Sequence, residues 1–566
     1  LSPRLENRIN YKQRISTMPP IGISRRYFLF GTLLTGALPR PTIASLKALG
    51  YQSPNEKLNV AGIGAGGQPF GDLRACEPEN IVALADVDWK RGEQGFKRWE
   101  KAAKYKDFRQ MLDKEHKNID AVVIGTPDHT HAYAALACMQ MGKSVYVEKP
   151  LTRTPWEARL LTQAAEKYKV ATQMGNQGYS HDATRVACEI FWAGEIGEVK
   201  EVHAWTGRAS WPQEMTKVPA PTAAPDTLDW DLWLGGAAAR PFTAGDQEYK
   251  DFIAARNARS PRGPGGGGGA AGGGGAGAGG GRGGGGAGGG FPGSESFEFY
   301  LPFNWRGFYD FGSGLIGDWG VHILGPANWA LQLHPKHLIS VECIKKNTLP
   351  PFTFPDELTI KYEFAARESM PPVTVYWYHS PKGDPYLPPG MTIEEARKIP
   401  GAGPQVGPVG GGRPGGAPGA AGAQGGGPPV GGPPRPQGLG YNSIFAGSKG
   451  YLGTSGRGEG VGLLPGSRWA EYKLPAEYLP RSPGASTGSN HAAHLRDWIR
   501  ACKGGAPACS NFSIAGPYTE WLVLGAIAVR FEGKLLWDNV KGEITNNKEA
   551  NKLVKPLFRK GWEIKL

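Results

Sequence analysis

The 566-residue sequence contains only six cysteines, and none of them forms a C-x-x-C pair. Their spacing matches no metal-binding pattern, which argues against a cysteine-held metal. Most of these thiols are therefore expected to be small core residues. Cys502 and Cys509 are close enough in sequence to pair across a short loop in an oxidising compartment, and this alternative stays open.

The chain also lacks a concentrated run of Lys and Arg after its first fifty residues. The formal net charge is +13, but residues 1–50 hold eight basic residues against the single acid Glu6 and so carry more than half of it. No basic helical stripe with interleaved aromatic residues follows. Nucleic-acid binding is therefore not expected.

The apolar stretch near the N-terminus is too short to span a bilayer as a mature helix. It follows the pair Arg25-Arg26 and runs to about Leu38. This pattern predicts a twin-arginine leader within residues 1–50, export to the periplasm, and membrane contact only through that signal. Met18 stands just ahead of the arginines, so residues 1–17 are candidates for untranslated upstream sequence. A short anchor or a retained membrane helix is the alternative.

Two tracts lack enough apolar side chains to bury. Residues 262–290 are almost wholly Gly and Ala, and residues 401–440 are rich in Gly, Pro and Ala. Neither keeps a strict glycine at every third position, which argues against collagen. We predict that both are disordered surface insertions without chemistry.

The rest of the chain is long enough for two domains with full-sized cores. Within residues 55–178, short apolar runs alternate with amphipathic stretches, which predicts a doubly wound parallel sheet. The helix-like stretches include His131–Met141 and Pro155–Tyr168. Residues 179–566 contain longer strand-like segments with fewer helices, which predicts an α+β domain on a mostly antiparallel sheet. The predicted strands of the first domain are Leu58–Ile63, Ile81–Ala85, Ala121–Ile124, Val145–Val147 and Ala171–Met174, and those of the second include Val199–Trp205, Leu338–Ile344, Leu358–Phe364 and Val373–His379.

A glycine fingerprint, Gly62-x-Gly64-x-x-Gly67, directly follows the first predicted strand. Glycines at this spacing allow a tight turn and close approach of backbone N–H groups to a pyrophosphate. The second strand ends at Asp86, where an acid can bond both ribose hydroxyls and repel a 2′-phosphate. The alternative is that Asp86 only caps the following helix. NAD is therefore favoured, while the nearby Lys90-Arg91 keeps NADP open.

The loop Thr126-Pro127 follows the next strand, at the end of the sheet where open α/β sheets bind ligands. We predict that both residues line the nicotinamide side of the site. His129 and His131 come next, but no third metal ligand is evident, so no metal is predicted. His131 is more consistent with packing in the following helix, although it and Glu148 are also counted among the predicted cofactor-binding residues.

Glu148-Lys149-Pro150 ends a further apolar strand of the same domain. Proline restricts the preceding residue to extended conformations, which would aim the Lys149 side chain reproducibly. A partly desolvated lysine is suited to proton transfer beside a nicotinamide. A surface Glu–Lys pair is the alternative.

Asp318 and His322 are four residues apart, so on a helix they would share one face. A carboxylate beside an imidazole is the usual arrangement for taking a proton from a hydroxyl. The preceding Trp305-Arg306 lies in an aromatic segment that suits stacking on a sugar, although such clusters are more often core.

These motifs in this order resemble the glucose–fructose oxidoreductase, inositol dehydrogenase and rhizopine-catabolism family (Gfo/Idh/MocA). The specific parts are the glycine loop, Thr-Pro-Asp-His-Thr-His, Val-Glu-Lys-Pro-Leu and Asp-x-Gly-x-His. Three further segments look like an exported, twin-arginine branch common in planctomycete-type bacteria. They are residues 173–178, residues 228–235 and residues 508–512.

The resemblance implies a Rossmann domain, a second α/β domain whose open sheet forms a homodimer or homotetramer, and tightly bound NAD or NADP. It implies a catalytic role for Lys149, Asp318 and His322, and it places Gln177 near the substrate. The residues that it implies for nucleotide binding are Gly62, Gly64, Gly67, Asp86, Thr126 and Pro127.

The implied activity is oxidation of a secondary hydroxyl of a sugar, glycoside or cyclitol. Two alternatives remain open. One is a redox-cycling glycosidase that oxidises, eliminates and reduces again. The other is a nucleotide-binding sensor without catalysis, against which the presence of Lys149, Asp318 and His322 together argues.

Overall fold

The computed structural model describes residues 56–207, 209, 211–258, 298–398, 403, 404, 406, 439–481 and 490–566. The predicted leader 1–50, the tract 262–290 and most of the tract 401–440 lie outside these residues. From Lys57 to the last residue, the described chain forms one compact unit.

Its first layer is a six-stranded parallel sheet with the order β3-β2-β1-β4-β5-β6. The strands are β1 (Asn59–Ile63), β2 (Asn80–Ala85), β3 (Ala103–Tyr105), β4 (Ala121–Ile124), β5 (Ser144–Val147) and β6 (Thr172–Met174). The helices between them are α1 (Gln68–Ala75), α2 (Trp89–Arg98), α3 (Phe108–Glu115), α4 (Asp128–Gln140) and α5 (Pro155–Tyr168).

This arrangement confirms the predicted doubly wound sheet. All four residues of β4 are buried, as expected for a central strand covered by helices on both faces. The strand β3 was not predicted, because it has only three residues, includes Lys104, and buries none of its side chains. The helix expected at His131–Met141 starts earlier, at Asp128.

The register of the sheet brings four loops together. Ile63, Ile124, Val147 and Met174 pair in one row across β1, β4, β5 and β6. Because parallel strands end at the same edge, the residues that follow this row leave the sheet side by side. The predicted glycine, Thr126 and Lys149 loops therefore share one edge.

The second layer is a nine-stranded sheet with the order β13-β12-β11-β7-β10-β9-β8-β14-β15. Only β7 and β10 pair in parallel, so the predicted, mostly antiparallel sheet is confirmed. The strands are β7 (Val199–Thr206), β8 (Leu338–Lys346), β9 (Leu358–Phe364), β10 (Val373–His379), β11 (Ser443–Gly447), β12 (Gly450–Thr454), β13 (Val461–Leu464), β14 (Leu535–Asp538) and β15 (Glu543–Ile544).

Helices of the second region pack between and around the two sheets. They are α6 (Asp182–Trp192), α7 (Trp230–Leu234), α8 (Gln247–Ala258), α9 (Gly314–Asp318), α10 (Gly320–Ile323), α11 (Gly325–Ala330), α12 (Ile393–Ala396), α13 (Gly466–Ala470), α14 (Asn490–Cys502), α15 (Phe512–Ala528) and α16 (Lys548–Asn551). Short 3-10 turns occur at His116–Asn118, Gln177–Ser180, Asn304–Gly307 and Pro335–His337.

The helix α14, which lies late in the sequence, packs against the first sheet. Leu495, Trp498 and Ile499 join the apolar cluster formed by Leu73 of α1 and the neighbouring strands. The two regions of the chain are therefore not independent in packing, because this face of the first sheet is covered by a helix from near the end of the sequence. We infer that removing the C-terminal region would expose part of the first core.

The six cysteines are all unpaired thiols, so the Cys502–Cys509 alternative is not formed. Among the described residues, no helix has the length and apolar character needed to cross a bilayer.

Candidate functional site

The glycine loop turns directly from β1 into α1. Gly64 and Gly67 adopt φ values of 94° and 63°, a region that favours glycine. No side chain caps the first turn of α1, so its free N–H groups can face an anion. The loop therefore has the geometry that a pyrophosphate requires.

Asp86, at the end of β2, lies against this loop. Its carboxylate accepts hydrogen bonds from the N–H of Ala65 at 2.9 Å and of Asp88 at 3.0 Å. Burial raises the pKa of Asp86. The helix α2 is capped by Asp88 instead, so Asp86 is not the helix cap.

Arg91 also reaches the glycine loop. One of its guanidinium nitrogens lies 2.6 Å from the position that a Cβ at Gly67 would occupy, and its carbonyl oxygen lies 2.0 Å from the corresponding point at Gly66. The backbone contact leaves no room for a side chain at Gly66, and the positive φ disfavours one at Gly67. A cation stands beside the anion-binding end of α1.

Thr126 and Pro127 lie at the predicted edge, and the Thr126 hydroxyl oxygen is buried without a hydrogen-bond partner among the described residues. Both ring nitrogens of His131 face backbone carbonyl oxygens, so neither is free to contact a cofactor. Its Nδ1 lies 2.9 Å from the carbonyl oxygen of Pro150, and its Nε2 lies 2.8 Å from that of Thr126. Burial lowers the pKa of His131 to about 4, and the ring links two site loops instead of facing a ligand.

Lys149 and Asp318 form the centre of the site. The Lys149 Nζ lies 2.6 Å from the Asp318 Oδ1, although the two residues are 169 positions apart in sequence. The side chains are 17% and 10% exposed, so a ligand can reach a pair that is otherwise covered. The Lys149–Pro150 peptide is cis.

Arg306 is the second cation on the same carboxylate. Its Nε donates to Asp318 Oδ1 at 3.2 Å, and its guanidinium carbon lies 3.9 Å from the Phe303 ring centroid and 4.2 Å from that of Trp305. Burial alone would raise the pKa of Asp318, but the charges of Lys149 and Arg306 outweigh burial and hold it at about 2. Trp305 is buried, and its ring packs against the guanidinium of Arg306.

The expected hydrogen-bonded pair of Asp318 and His322 is not formed within the described residues. The helical segment is interrupted at Trp319, since α9 ends at Asp318 and α10 begins at Gly320. The carboxylate is directed to the two cations instead. Asp318 acts on His322 only through its charge, which favours the imidazolium.

His322 is buried, and its Nδ1 has no hydrogen-bond partner among the described residues. Burial, followed by the charges of Lys149 and Arg457, lowers the pKa of His322 well below its usual range. The ring is therefore neutral at neutral pH and keeps a nitrogen lone pair for a proton.

Glu148, the residue before Lys149, forms a hydrogen bond with Gln177. Glu148 is buried, and its Oε1 accepts from the Gln177 Nε2 at 3.3 Å. Burial, together with the charge of Asp72, raises the pKa of Glu148. Glu148 thus lies in a covered polar cluster, and Gln177 stands beside the Lys149 loop.

Asp128, a buried carboxyl at the start of α4, was not predicted as a site residue. The Ser313 hydroxyl donates to its Oδ2 at 3.1 Å. Burial raises the pKa of Asp128 to about 7, against the lowering effect of Arg306. Asp128 is part of the Thr-Pro-Asp-His motif, but no sequence pattern predicts its hydrogen bond with Ser313.

Lys149, Asp318, Arg306 and His322 thus come together at the shared edge, with Asp128 and Gln177 next to them. His129 does not belong to this group, since its Nε2 lies 3.0 Å from the carbonyl oxygen of Trp233. Within the described part of the chain, no cluster of three or more His, Cys, Asp or Glu residues could hold a metal.

Comparison with known proteins bears on the first domain. Residues 57–176 match the family model GFO_IDH_MocA, described as "Oxidoreductase family, NAD-binding Rossmann fold". That stretch is therefore similar to the NAD-binding Rossmann domains of this oxidoreductase family, as the motifs predict.

Curated relatives match over short stretches. Inositol 2-dehydrogenase 1 of Saccharopolyspora erythraea is 29% identical over 157 residues, which cover 27% of this chain and 46% of that protein. The scyllo-inositol 2-dehydrogenase (NAD(+)) of Bacillus subtilis is 32% identical over 123 residues, 21% of this chain and 34% of that protein. The matches therefore span less than half the length of these relatives.

Solved structures align over most of the chain at low identity. The inositol dehydrogenase homolog of Azotobacter vinelandii, complexed with NADH and myo-inositol, is 14% identical with a TM-score of 0.46 and covers 85% of this chain and 98% of its own. A levoglucosan dehydrogenase complexed with NADH is 14% identical with a TM-score of 0.45 and covers 84% and 97%.

The raised pKa of Asp128 predicts a pH-dependent stability. Between the usual pKa of an aspartate and about 7, the folded protein binds a proton that the unfolded chain releases, so this residue lowers the stability as pH rises. Asp128→Asn keeps a neutral acceptor for Ser313 and abolishes the loss. We expect the melting temperature of the variant, relative to the parent, to increase from pH 4 to pH 7 and to level off above pH 8.

Thermal denaturation of the cofactor-free proteins at each pH measures this difference. Asp113→Asn, on the surface helix α3, is the matched control and should show no such trend. A constant difference between Asp128→Asn and the parent across the range would contradict the assignment.

Proposed function

We propose that this protein is an NAD-dependent oxidoreductase that acts on a secondary hydroxyl of a sugar, glycoside or cyclitol. The observation that carries the proposal is the pair of Lys149 and Asp318 at the carboxyl edge of the parallel sheet, with the neutral imidazole of His322 beside it. Open α/β sheets bind ligands at this edge. The inositol dehydrogenases among the relatives support the substrate class.

The described residues fit NAD. Gly64 and Gly67 have positive φ angles and the first turn of α1 is uncapped, which suits a pyrophosphate. Asp86 follows β2 beside this loop, where its carboxylate suits the ribose hydroxyls. The unpartnered hydroxyl of Thr126 suits a polar group at the nicotinamide end. NAD would supply the hydride acceptor for oxidation of an alcohol when bound.

Oxidation of an alcohol also requires removal of the hydroxyl proton, and the protein must supply the base. We assign the role of base to His322, because its Nδ1 lacks a partner among the described residues and its ring interacts electrostatically with both Lys149 and Asp318. We assign to Lys149 the role of holding the hydroxyl oxygen by a hydrogen bond, since its ammonium group has three donors and its side chain is 17% exposed. Asp318 stabilises the charge of Lys149 and of a protonated His322.

The direct test is a purified sample of the full chain, first analysed for bound nucleotide and then incubated with free sugars, cyclitols and glycosides. We expect NADH to accumulate in proportion to the oxidised product. Release of an aglycone without net NADH would instead identify the redox-cycling glycosidase. A sample that neither binds nucleotide nor converts any of these compounds would contradict both.

Substitutions test the two proton-transfer residues. Lys149→Ala and His322→Ala should each lower kcat/KM by about 100- to 10,000-fold, the usual contribution of acid–base catalysis. The Kd for NADH should stay within about twofold of the parent, because neither side chain is assigned to the nucleotide. Stopped-flow rates and NADH fluorescence titrations measure the two quantities.

Lys101→Ala is the matched control, since this lysine is exposed on a turn away from the sheet edge. It should leave kcat/KM unchanged. Near-normal turnover by Lys149→Ala or His322→Ala would show that the role assigned to that residue is wrong.

We further propose that Asp86 selects NAD over NADP. A carboxylate at this position repels a 2′-phosphate, whereas Arg91 beside Gly67 would support phosphate binding generally. Asp86→Asn should weaken NADH binding by about tenfold through loss of a charged acceptor and should weaken NADPH binding less. Asp88→Asn is the control, because asparagine preserves the cap of α2. An unchanged ratio of the two Kd values in Asp86→Asn would contradict the assignment.

Export by the twin-arginine route is a further part of the proposal, supported by Arg25-Arg26 and the apolar stretch after them. In a bacterium that has this translocase, the parent chain should be recovered from the periplasm. Arg25→Lys combined with Arg26→Lys should retain it in the cytoplasm. Equal periplasmic recovery of both proteins would exclude this route.

A further inference from the structure

One arginine at the edge of the site is not used by the proposed reaction. Arg457 lies in the turn between β12 and β13, and its side chain is exposed. Its guanidinium carbon lies 5.6 Å from the centroid of the Trp319 ring. Trp319 in turn lies 6.0 Å, centroid to centroid, from the ring of His322. Arg457 is therefore one aromatic ring away from the candidate base.

The turn that carries Arg457 is fixed against the sheet edge. The carbonyl oxygen of Arg457 lies 2.0 Å from the point that a Cβ at Gly178 would occupy, so only glycine permits this approach. The Thr184 hydroxyl lies 2.8 Å from the carbonyl oxygen of Gly178 and 3.2 Å from that of Gly458. The turn is thereby held next to Gln177, which contacts Glu148.

The charges around this point are unbalanced. Lys149 and Arg306 share the single carboxylate of Asp318. Arg457 makes no ion pair or hydrogen bond with another described residue, and its charge lowers the pKa of His322. An exposed guanidinium without an acidic partner at the edge of the site is suited to bidentate binding of a carboxylate or phosphate.

We propose that the substrate is an anionic carbohydrate, whose carboxylate or phosphate is bound by Arg457 while its hydroxyl is held at Lys149 and His322. This inference rests on the proposed function and narrows its substrate class. Arg306 is less available for this role, because it is already bonded to Asp318 and stacked on Phe303 and Trp305. Arg457 is thus a specificity residue and takes no part in proton transfer.

Calorimetric titration of the full chain, with and without NADH, tests the proposal. The probes are D-glucose and D-galactose, their uronates, and their 6-phosphates. We expect at least one anionic compound to bind about 10- to 100-fold more tightly than its neutral parent, as for a charged hydrogen bond of ordinary strength. A preference for the uronates or for the 6-phosphates identifies which anion is recognised.

Variants assign the preference to the residue. Arg457→Gln should remove the preference for the anion and leave both the affinity for neutral sugar and the Kd for NADH unchanged. Arg457→Lys should retain part of it, because lysine keeps the charge but not the planar fork. Glu459→Gln, an exposed neighbour in the same turn, is the matched control and should behave as the parent does.

Three results would overturn the inference. They are neutral sugars that bind as tightly as their anionic counterparts, no saturable binding of any anionic probe, and an Arg457→Gln variant that loses affinity for NADH by the same factor. The last would show that the guanidinium serves the phosphates of the cofactor. Failure of the proposed function is distinct, since the parent chain would then fail to bind NADH at all.

Discussion

The site depends on the ion pair between Lys149 and Asp318. Lys149 follows a strand of the parallel sheet and Asp318 ends a short helix of the second region, so the pair connects the two layers of the molecule. Removing Asp318 would leave the charge of Lys149 without this compensation, and breaking a buried pair in that way costs about 3–5 kcal/mol. Arg306 adds a second cation to the same carboxylate and fixes its orientation further.

The elements around this pair are constrained by the register of the first sheet. Four strands end in one row, so the glycine loop, the Thr126 loop and the Lys149 loop leave the sheet at the same edge. The second region then closes the edge from the other side through Asp318, His322 and the turn that carries Arg457. Neither region forms the site alone. The first supplies the glycine, Thr126 and Lys149 loops, and the second supplies Asp318 and His322.

Much of the fold could be predicted from the sequence, because its strands are short apolar runs and its turns carry glycine. The helix Pro155–Tyr168 and the strands Leu358–Phe364 and Val373–His379 agree with prediction to the residue. The strand β3 and the five strands after residue 440, β11 to β15, were not predicted. The strands β3 and β15 are too short to show a pattern, β14 has only four residues, and β11 to β13 follow a glycine-rich tract that hides their pattern.

The candidate site was only partly predictable. Lys149, Asp318 and Arg306 were singled out from motifs, but their mutual contacts depend on tertiary packing. The partner of Asp318 was expected to be His322, four residues away, whereas the break at Trp319 leaves the carboxylate to Lys149 and Arg306. Arg457 carried no signal at all, since one arginine in a glycine-rich turn has no local pattern.

An experimental structure of the full chain bound to NADH would show whether the reaction takes place at the Lys149–Asp318 pair. We expect the nicotinamide to lie at the carboxyl edge of the parallel sheet, with this pair and the His322 ring facing its reactive carbon across a space that a hydroxyl can occupy. A nicotinamide bound elsewhere, or bound at this edge with Lys149 turned away from it, would show that the pair is not the catalytic centre.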